Sequence, residues 1–165
     1  NWGYAAADHH YKTSKMVIHM LVECVSKGGN LLLNVGPNAR GQFPEESVRI
    51  LKEIGAWMKN NHDSIYGCGL PDLEKPEWGR YTRRGNHLYA HVMEAQAGAI
   101  CLPGLAGRVA RIRLLADGSE IRQSDYWNLK EYGENAFFFL NPATADCYPL
   151  PDEKDTVVEI LLKEA

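Results

Sequence analysis

The sequence predicts an α/β segment over residues 1–70 followed by an all-β segment over residues 71–165. Three observations carry that reading. Apolar residues recur at helical spacing in two stretches of the first part. A short apolar run fenced by glycines and asparagines lies between those stretches. From about residue 80 onward the hydrophobic period drops to two, with turn signals between the runs.

Residues 14–27, SKMVIHMLVECVSK, place Val17, Ile18, Leu21, Val22 and Val25 on one helical face, with Thr13 or Ser14 available as N-cap. Gly28-Gly29 ends this helix, because glycine enters the left-handed conformation past a helix end without steric penalty. Residues 31–35, LLLNV, lack polar alternation, which predicts a strand covered on both faces, as in a parallel sheet. After a loop holding Gly36, Pro37 and Gly41, a second helix begins with Pro44 at its first position and Glu45 and Glu46 in its first turn. Its apolar stripe is Ile50, Leu51, Ile54, Trp57 and Met58, and Asn60-Asn61 closes it. A lone strand between two helices cannot make a sheet, so this part calls for parallel strands that the chain does not contain.

Residues 65–78, with Gly67, Gly69, Pro71 and Pro76, read as a connector. The run NHLYAHVME alternates Leu88, Ala90 and Val92 against Tyr89, His91 and Met93. RVARIRLLADGSEIR alternates Ala110, Ile112 and Leu114 against Arg111 and Arg113, then turns at Asp117-Gly118, a hairpin signal. NAFFFL and DTVVEILLK are two further strand-like runs, and short strands separated by turns point to an antiparallel sheet or sandwich.

Composition excludes several function classes. A formal net charge of −3 gives no electrostatic case for a nucleic-acid partner. No apolar run approaches the ~20 residues that cross a bilayer as a helix, so no membrane partner is expected. The chain opens on Asn1 without an initiator Met or an apolar leader, and is read as processed or as a piece of something longer. Cys24, Cys68, Cys101 and Cys147 form no C-x-x-C pair and are expected to be free thiols, Cys24 as a small buried hydrophobe.

His9, His10 and His19 lack the i, i+3 or i, i+4 helical pair that zinc sites use, so no metal is expected. GGNLLLNVGPNARG lacks both the Gly-Lys-Ser/Thr of a phosphate loop and the G-x-G-x-x-G of a dinucleotide loop, so no cofactor is expected. No G-x-S-x-G elbow is present, and the helix dipole accounts for Glu45-Glu46 without any catalytic role. What remains is Trp2-Gly3-Tyr4, an aromatic segment without helical or strand period. A tryptophan beside glycine on a loop either packs or binds, and flat aromatic faces suit the C–H faces of sugars.

The segments WGY at 2–4, GGNLLLNVGP at 28–37 with Gly41 after it, and IGAWMKNNHDSIYG at 54–67 together resemble the C-terminal part of the α-L-fucosidases of glycoside hydrolase family 29. The match in order and spacing runs over residues 1–70, while the rest agrees only in its β content and in W-G-x-x-T-x-x-G…L-Y at 78–89. One departure is visible: the family places Asn-Gly before its Ile-Tyr pair, whereas this chain has Asn61-His62, so His is expected to adopt a conformation that Gly often takes.

The resemblance implies a retaining glycosidase with an Asp nucleophile and a Glu acid/base, both upstream of the W-G-Y segment. It therefore assigns no catalytic residue to this chain. It implies that residues 1–70 close a (β/α) barrel, that 71–165 form an antiparallel β-sandwich, and that 31–35 is the last barrel strand. Barrel active sites lie at the C-terminal ends of the strands, which puts residues 34–37 at the rim. By the same resemblance Trp2 lines the fucose pocket. Asn34 is a second candidate contact, set against the plainer role of satisfying loop backbone groups. The implied partners are a fucosylated glycan or glycoside and the rest of the chain's own catalytic domain or a second copy. The alternative is a non-catalytic carbohydrate-binding or interaction module derived from that scaffold.

Overall fold

The computed structural model describes residues 3–125 and 127–164. Helix α1, Ser14–Ser26, is capped by Thr13, whose hydroxyl accepts from the Met16 amide at 3.2 Å. At its end Gly28 takes φ 75°, its amide donating to Val25 O at 2.9 Å and that of Gly29 to Cys24 O at 2.8 Å. That pair of bonds is a Schellman cap, and it makes the expected use of Gly28-Gly29. Cys24 is half-buried rather than buried, and all four cysteines are free thiols. Helix α2, Glu45–Asn61, has Pro44 as the residue before its first turn, not in that turn as expected, with Glu45 and Glu46 in the first turn itself. The chain then passes through a 3-10 turn, His62–Ser64. His62 sits at φ −57°, ordinary for an L-residue, so the change from Gly to His forces no left-handed backbone here.

Residues 31–35 take no strand conformation and belong to neither sheet of the described residues. Leu32 is 94% exposed and Leu33 is 39% exposed, so the expectation of a strand covered on both faces is corrected. A strand exists through a ladder of hydrogen bonds to a neighbouring strand, and no strand among the described residues supplies one here.

The second part holds strands β1 (Gly79–Arg84), β2 (His87–Val92), β3 (Ile100–Leu102), β4 (Val109–Leu114), β5 (Glu120–Ile121), β6 (Ala136–Phe138) and β7 (Thr156–Leu162). A short 3-10 helix, Trp127–Tyr132, precedes β6. A five-stranded sheet runs in the order β1-β2-β7-β4-β5, and β3 and β6 pair separately. Every pairing is antiparallel. The turn expected at Asp117-Gly118 is present, with the Ser119 amide donating to Asp117 Oδ1 at 2.8 Å. The expected Ala110/Ile112 alternation is shifted. A bulge between Val109 and Arg111 leaves Val109 and Ile112 buried and Ala110 exposed, since one extra residue moves the following side chains to the other face.

Both faces of the large sheet are covered. Leu88, Ala90, Val92, Ile112, Val158 and Ile160 meet Ile100, Leu102 and Phe138 from the smaller sheet. On the opposite face Tyr89, Met93 and Val157 pack against Ile18, Val22 and Val25 of α1 and Trp57 of α2. The alternation read in NHLYAHVME therefore separates two buried faces, one apolar throughout and one that also carries polar groups.

Those polar groups form a connected layer between α2 and the sheet. His91 Nδ1 lies 2.7 Å from Asp155 Oδ2, and both side chains are wholly buried. Thr82 donates its one hydroxyl proton to Ser64 O at 2.6 Å, so at 3.1 Å it accepts from His91 Nε2, which fixes a proton on that nitrogen. The Trp57 indole donates to Asp155 O at 3.0 Å, and its ring lies 6.4 Å from the imidazole. From α1, His19 Nε2 donates to Lys154 O at 2.7 Å. Trp78, Gly79 and Thr82 of the W-G-x-x-T motif find their reasons here. Trp78 fills the core, Thr82 joins the layer, and a Cβ on Gly79 would lie 1.8 Å from His91 O.

Beyond the helices the same sheet face carries Glu159, with its side chain 3% exposed. Arg113 Nε donates to its Oε2, and His87 Nδ1 donates to Oε1 at 2.8 Å. Burial pushes the Glu159 carboxyl up, but the Arg113 and His87 hydrogen bonds and charges outweigh it, and the net displacement is downward. A lowered carboxyl contributes stability that is present above its unfolded value and lost as pH falls through its folded value. Urea midpoints of the wild type should therefore fall between about pH 5 and about pH 3, and Glu159→Gln should flatten that slope. An unchanged slope in the variant would rule out Glu159 as its source.

Candidate functional site

Trp2 lies outside the described residues, and the first wall of the candidate site starts at Gly3. Residues 3–12 run as a loop across the start of α1. Within it the His10 amide donates to Asp8 Oδ1 at 3.0 Å, and this bond holds the Asp8 carboxyl below the usual carboxylate range. The Asp8 amide closes the preceding turn onto Ala5 O at 3.0 Å.

The second wall is the loop that ends the LLLNV run. Gly36 is pressed against the first loop: a Cβ built on it would sit 2.4 Å from the Tyr4 amide nitrogen and 2.6 Å from the Gly3 carbonyl carbon. No side chain larger than hydrogen fits there, which gives the glycine of N-x-G-P a packing reason independent of any ligand. The loop then braces itself, with Asn38 Oδ1 accepting from the amides of Arg40 at 2.9 Å and Gln42 at 3.0 Å.

Between these walls lies an open cleft of about 210 Å³. Tyr4, Asp8, His10, Leu33 and Asn34 line it, and Val17 of α1 and Ile50 and Leu51 of α2 form its floor. The floor is fixed by a tie between the helices, the Ser14 hydroxyl donating to Glu53 Oε2. Asn34 lines the same cleft as Gly3 and Tyr4. Asp8 and His10 were not anticipated: they lie in a loop without periodicity.

Chemically the cleft presents one carboxylate, one imidazole, an amide and aromatic and aliphatic walls. Retaining glycoside hydrolysis needs a pair of carboxylates about 5 Å apart. Among the described residues Asp8 is the one acidic side chain that lines the cleft. Such an arrangement can orient a polar ring-shaped ligand but holds half of a hydrolytic pair at most. Among the described residues no group of three or more His, Cys, Asp or Glu side chains is placed to hold a metal ion.

The family profile described as Alpha-L-fucosidase matches residues 1–63, the part that builds both walls of the cleft. An α-L-fucosidase, isoenzyme 1 from Paenibacillus thiaminolyticus, superposes with a TM-score of 0.92 at 52% identity, covering 99% of this chain and 38% of its own. The chain is related to the α-L-fucosidases of glycoside hydrolase family 29. A fucosidase of that family from Bacteroides thetaiotaomicron, solved as a trapped covalent intermediate with 2-fluoro-fucosyl fluoride, superposes at TM-score 0.79 and 28% identity. It covers 99% of this chain and 36% of its own. The α-L-fucosidase of Dictyostelium discoideum is 35% identical over 94 residues, 55% of this chain and 20% of that protein. The chain therefore spans well under half the length of the fucosidases it matches.

Likeness to fucosidase structures over 99% of the chain extends to the strand-rich second part, where the sequence motifs are sparse. Gly3-Tyr4 and the N-V-G-P segment, separate in sequence, are neighbours in the fold through Gly36. Replacing Gly36 with Ala should push the two loops apart. The Tyr4 and Asp8 amide resonances should move in NMR spectra while those of β2 and β7 stay in place. Unchanged Tyr4 and Asp8 resonances would mean that the loops do not meet as described.

Proposed function

We propose that this chain is the C-terminal part of a retaining α-L-fucosidase that removes terminal fucose from glycans. Residues 1–70 close its (β/α) barrel and residues 71–165 form the β-sandwich that follows. The observation that carries this reading is the cleft itself. Gly3-Tyr4 of one family segment packs backbone to backbone on Gly36 of another, and Asn34 and Tyr4 share one opening.

Further support comes from residues 31–35. An apolar run with Leu32 almost fully exposed has its natural place as a barrel strand between neighbours supplied by the rest of the catalytic domain. The nucleophile and the acid/base come from that absent part. The trapped covalent intermediate of the Bacteroides thetaiotaomicron relative is in keeping with a two-step retaining route. In that scheme Trp2 offers its flat face to the apolar edge of the sugar, and Asn34 offers an amide to a hydroxyl.

The full gene product is expected to hydrolyse an aryl α-L-fucoside and to release α-L-fucose first, as followed by proton NMR of the anomeric signals. The 165-residue chain by itself should release none. Trp2→Ala in the full product should lower kcat/KM by about 10-fold, the equivalent of ~1.4 kcal/mol of stacking. Release of the β-anomer first, or turnover by the isolated chain, would overturn the proposal.

A further inference from the structure

Helices α1 and α2 both hang on one short stretch of chain. From α1, His19 Nε2 donates to Lys154 O at 2.7 Å, and from α2 the Trp57 indole donates to Asp155 O at 3.0 Å. Ile18 and Val22 of α1 share a buried cluster with Trp57. Two helices held at one crossing can still pivot about it, and a pivot displaces the ends that lie away from the crossing. The cleft is built on those ends. Residues 3–12 lead into the first turn of α1, and the Gly36 loop leads into the first turn of α2.

On the cleft side of that crossing a second bond joins the helices. The Ser14 hydroxyl donates to Glu53 Oε2, and among the described residues this is the hydrogen bond that links α1 to α2. Both partners are set in advance. Ser14 is 5% exposed and sits in the first turn of α1, directly after the Thr13 cap. Arg49, one turn before Glu53, donates from Nη1 to Glu53 Oε1 at 2.8 Å and from Nη2 to Glu46 Oε2 at 3.0 Å. Each oxygen of the Glu53 carboxylate thus has its own donor. The Ser14 bond, helped by Arg49 and by the charge of Lys154, holds the Glu53 carboxyl below the usual carboxylate range.

Within residues 3–12 the bonds from the Asp8 amide to Ala5 O and from the His10 amide to Asp8 Oδ1 are internal, and shape the loop without placing it. The loop is placed where Gly3 and Tyr4 rest on Gly36, and where Thr13 and Ser14 start α1. Solvent-facing ion pairs such as those of Arg49 with Glu46 and Glu53 contribute little to stability, so alignment explains the chain Glu46–Arg49–Glu53–Ser14 better than strength does. We infer that Ser14 and Glu53 are positioning residues for the substrate. Their bond fixes the angle between the helices on the cleft side. With it they fix the separation of the wall that carries Tyr4 and Asp8 from the wall that carries Asn34. This role rests on the reading of the cleft as the part of a fucosidase that holds the sugar.

The test measures kcat and KM of the full gene product on an aryl α-L-fucoside. Ser14→Ala leaves the Thr13 cap in place and should raise KM about 3- to 10-fold, the effect of one hydrogen bond, with kcat within about 2-fold of the wild type. Glu53→Ala should match it, and the two substitutions together should do no more than either alone. Glu53→Gln keeps an oxygen that accepts from Ser14 and should bring KM back toward the wild type. A wild-type KM in both Ser14→Ala and Glu53→Ala, whatever happens to Tm, would overturn the assignment and leave the bond a structural tie. Effects that add in the double variant would overturn it as well, since the two residues would then act apart. Should the wild type cleave no fucoside, the fucosidase reading falls, and the Tyr4 and Asp8 amide resonances decide the placing of the loop separately. Their movement in Ser14→Ala would uphold it, and unchanged resonances would remove it.

Discussion

A buried pair, His91 and Asp155, fixes how the helices sit on the sheet. His91 comes from β2, and Asp155 lies immediately before β7, so the pair bridges adjacent strands of the same face. Thr82 consumes its hydroxyl proton on Ser64 O, which leaves His91 Nε2 to donate and Nδ1 to share a proton with the carboxylate. Asp155 Oδ1 has no hydrogen-bond partner among the described residues, so the carboxylate is satisfied on one side only. A half-satisfied buried group is costly, and its value lies in registry more than in net stability. Any slide of α2 along the sheet would break the Trp57 bond to the Asp155 carbonyl and the Ser64 bond to Thr82 together.

The cleft inherits its geometry from that registry. With α2 held at Trp57, its N-terminal end supplies Ile50 and Leu51 to the cleft floor, and the braced loop before it delivers Gly36 to the Gly3-Tyr4 backbone. The close approach of Gly79 to the His91 carbonyl serves the same alignment from the β1 side. A binding cleft depends on a few walls held at fixed separation, and the separation of these walls is set some distance away, at the sheet–helix interface.

Much of this was legible in the sequence, and the failures have physical causes. Both helices, the cap at Gly28-Gly29, the core position of Trp57 and the Asp117-Gly118 turn follow from local rules that need no partner. The strand over 31–35 failed because pairing is not local: its apolar run is real, but no strand among the described residues lies beside it. β1 and β3 drew no strand assignment of their own, since GRYTRR is polar and ICL is only three residues long. His91 stood in plain view within an alternating run, yet its role depends on Asp155, 64 residues later, and no spacing rule links the two. In the cleft, Asn34 was named through the family motif as a candidate contact, while Asp8 and His10 lay in a loop without period. Trp2, the strongest sequence candidate, lies outside the described residues.

On this geometry α1, α2 and the sheet form one cooperative body locked at His91 and Asp155. Native-state hydrogen exchange on the wild type and on Asp155→Ala tests it most directly. The wild type should show amides of α2 and of β7 opening with the same free energy, and the substitution should lower both together by about 3 kcal/mol. Helices that exchange through a separate, lower-energy opening, with β7 indifferent to the loss of Asp155, would contradict it.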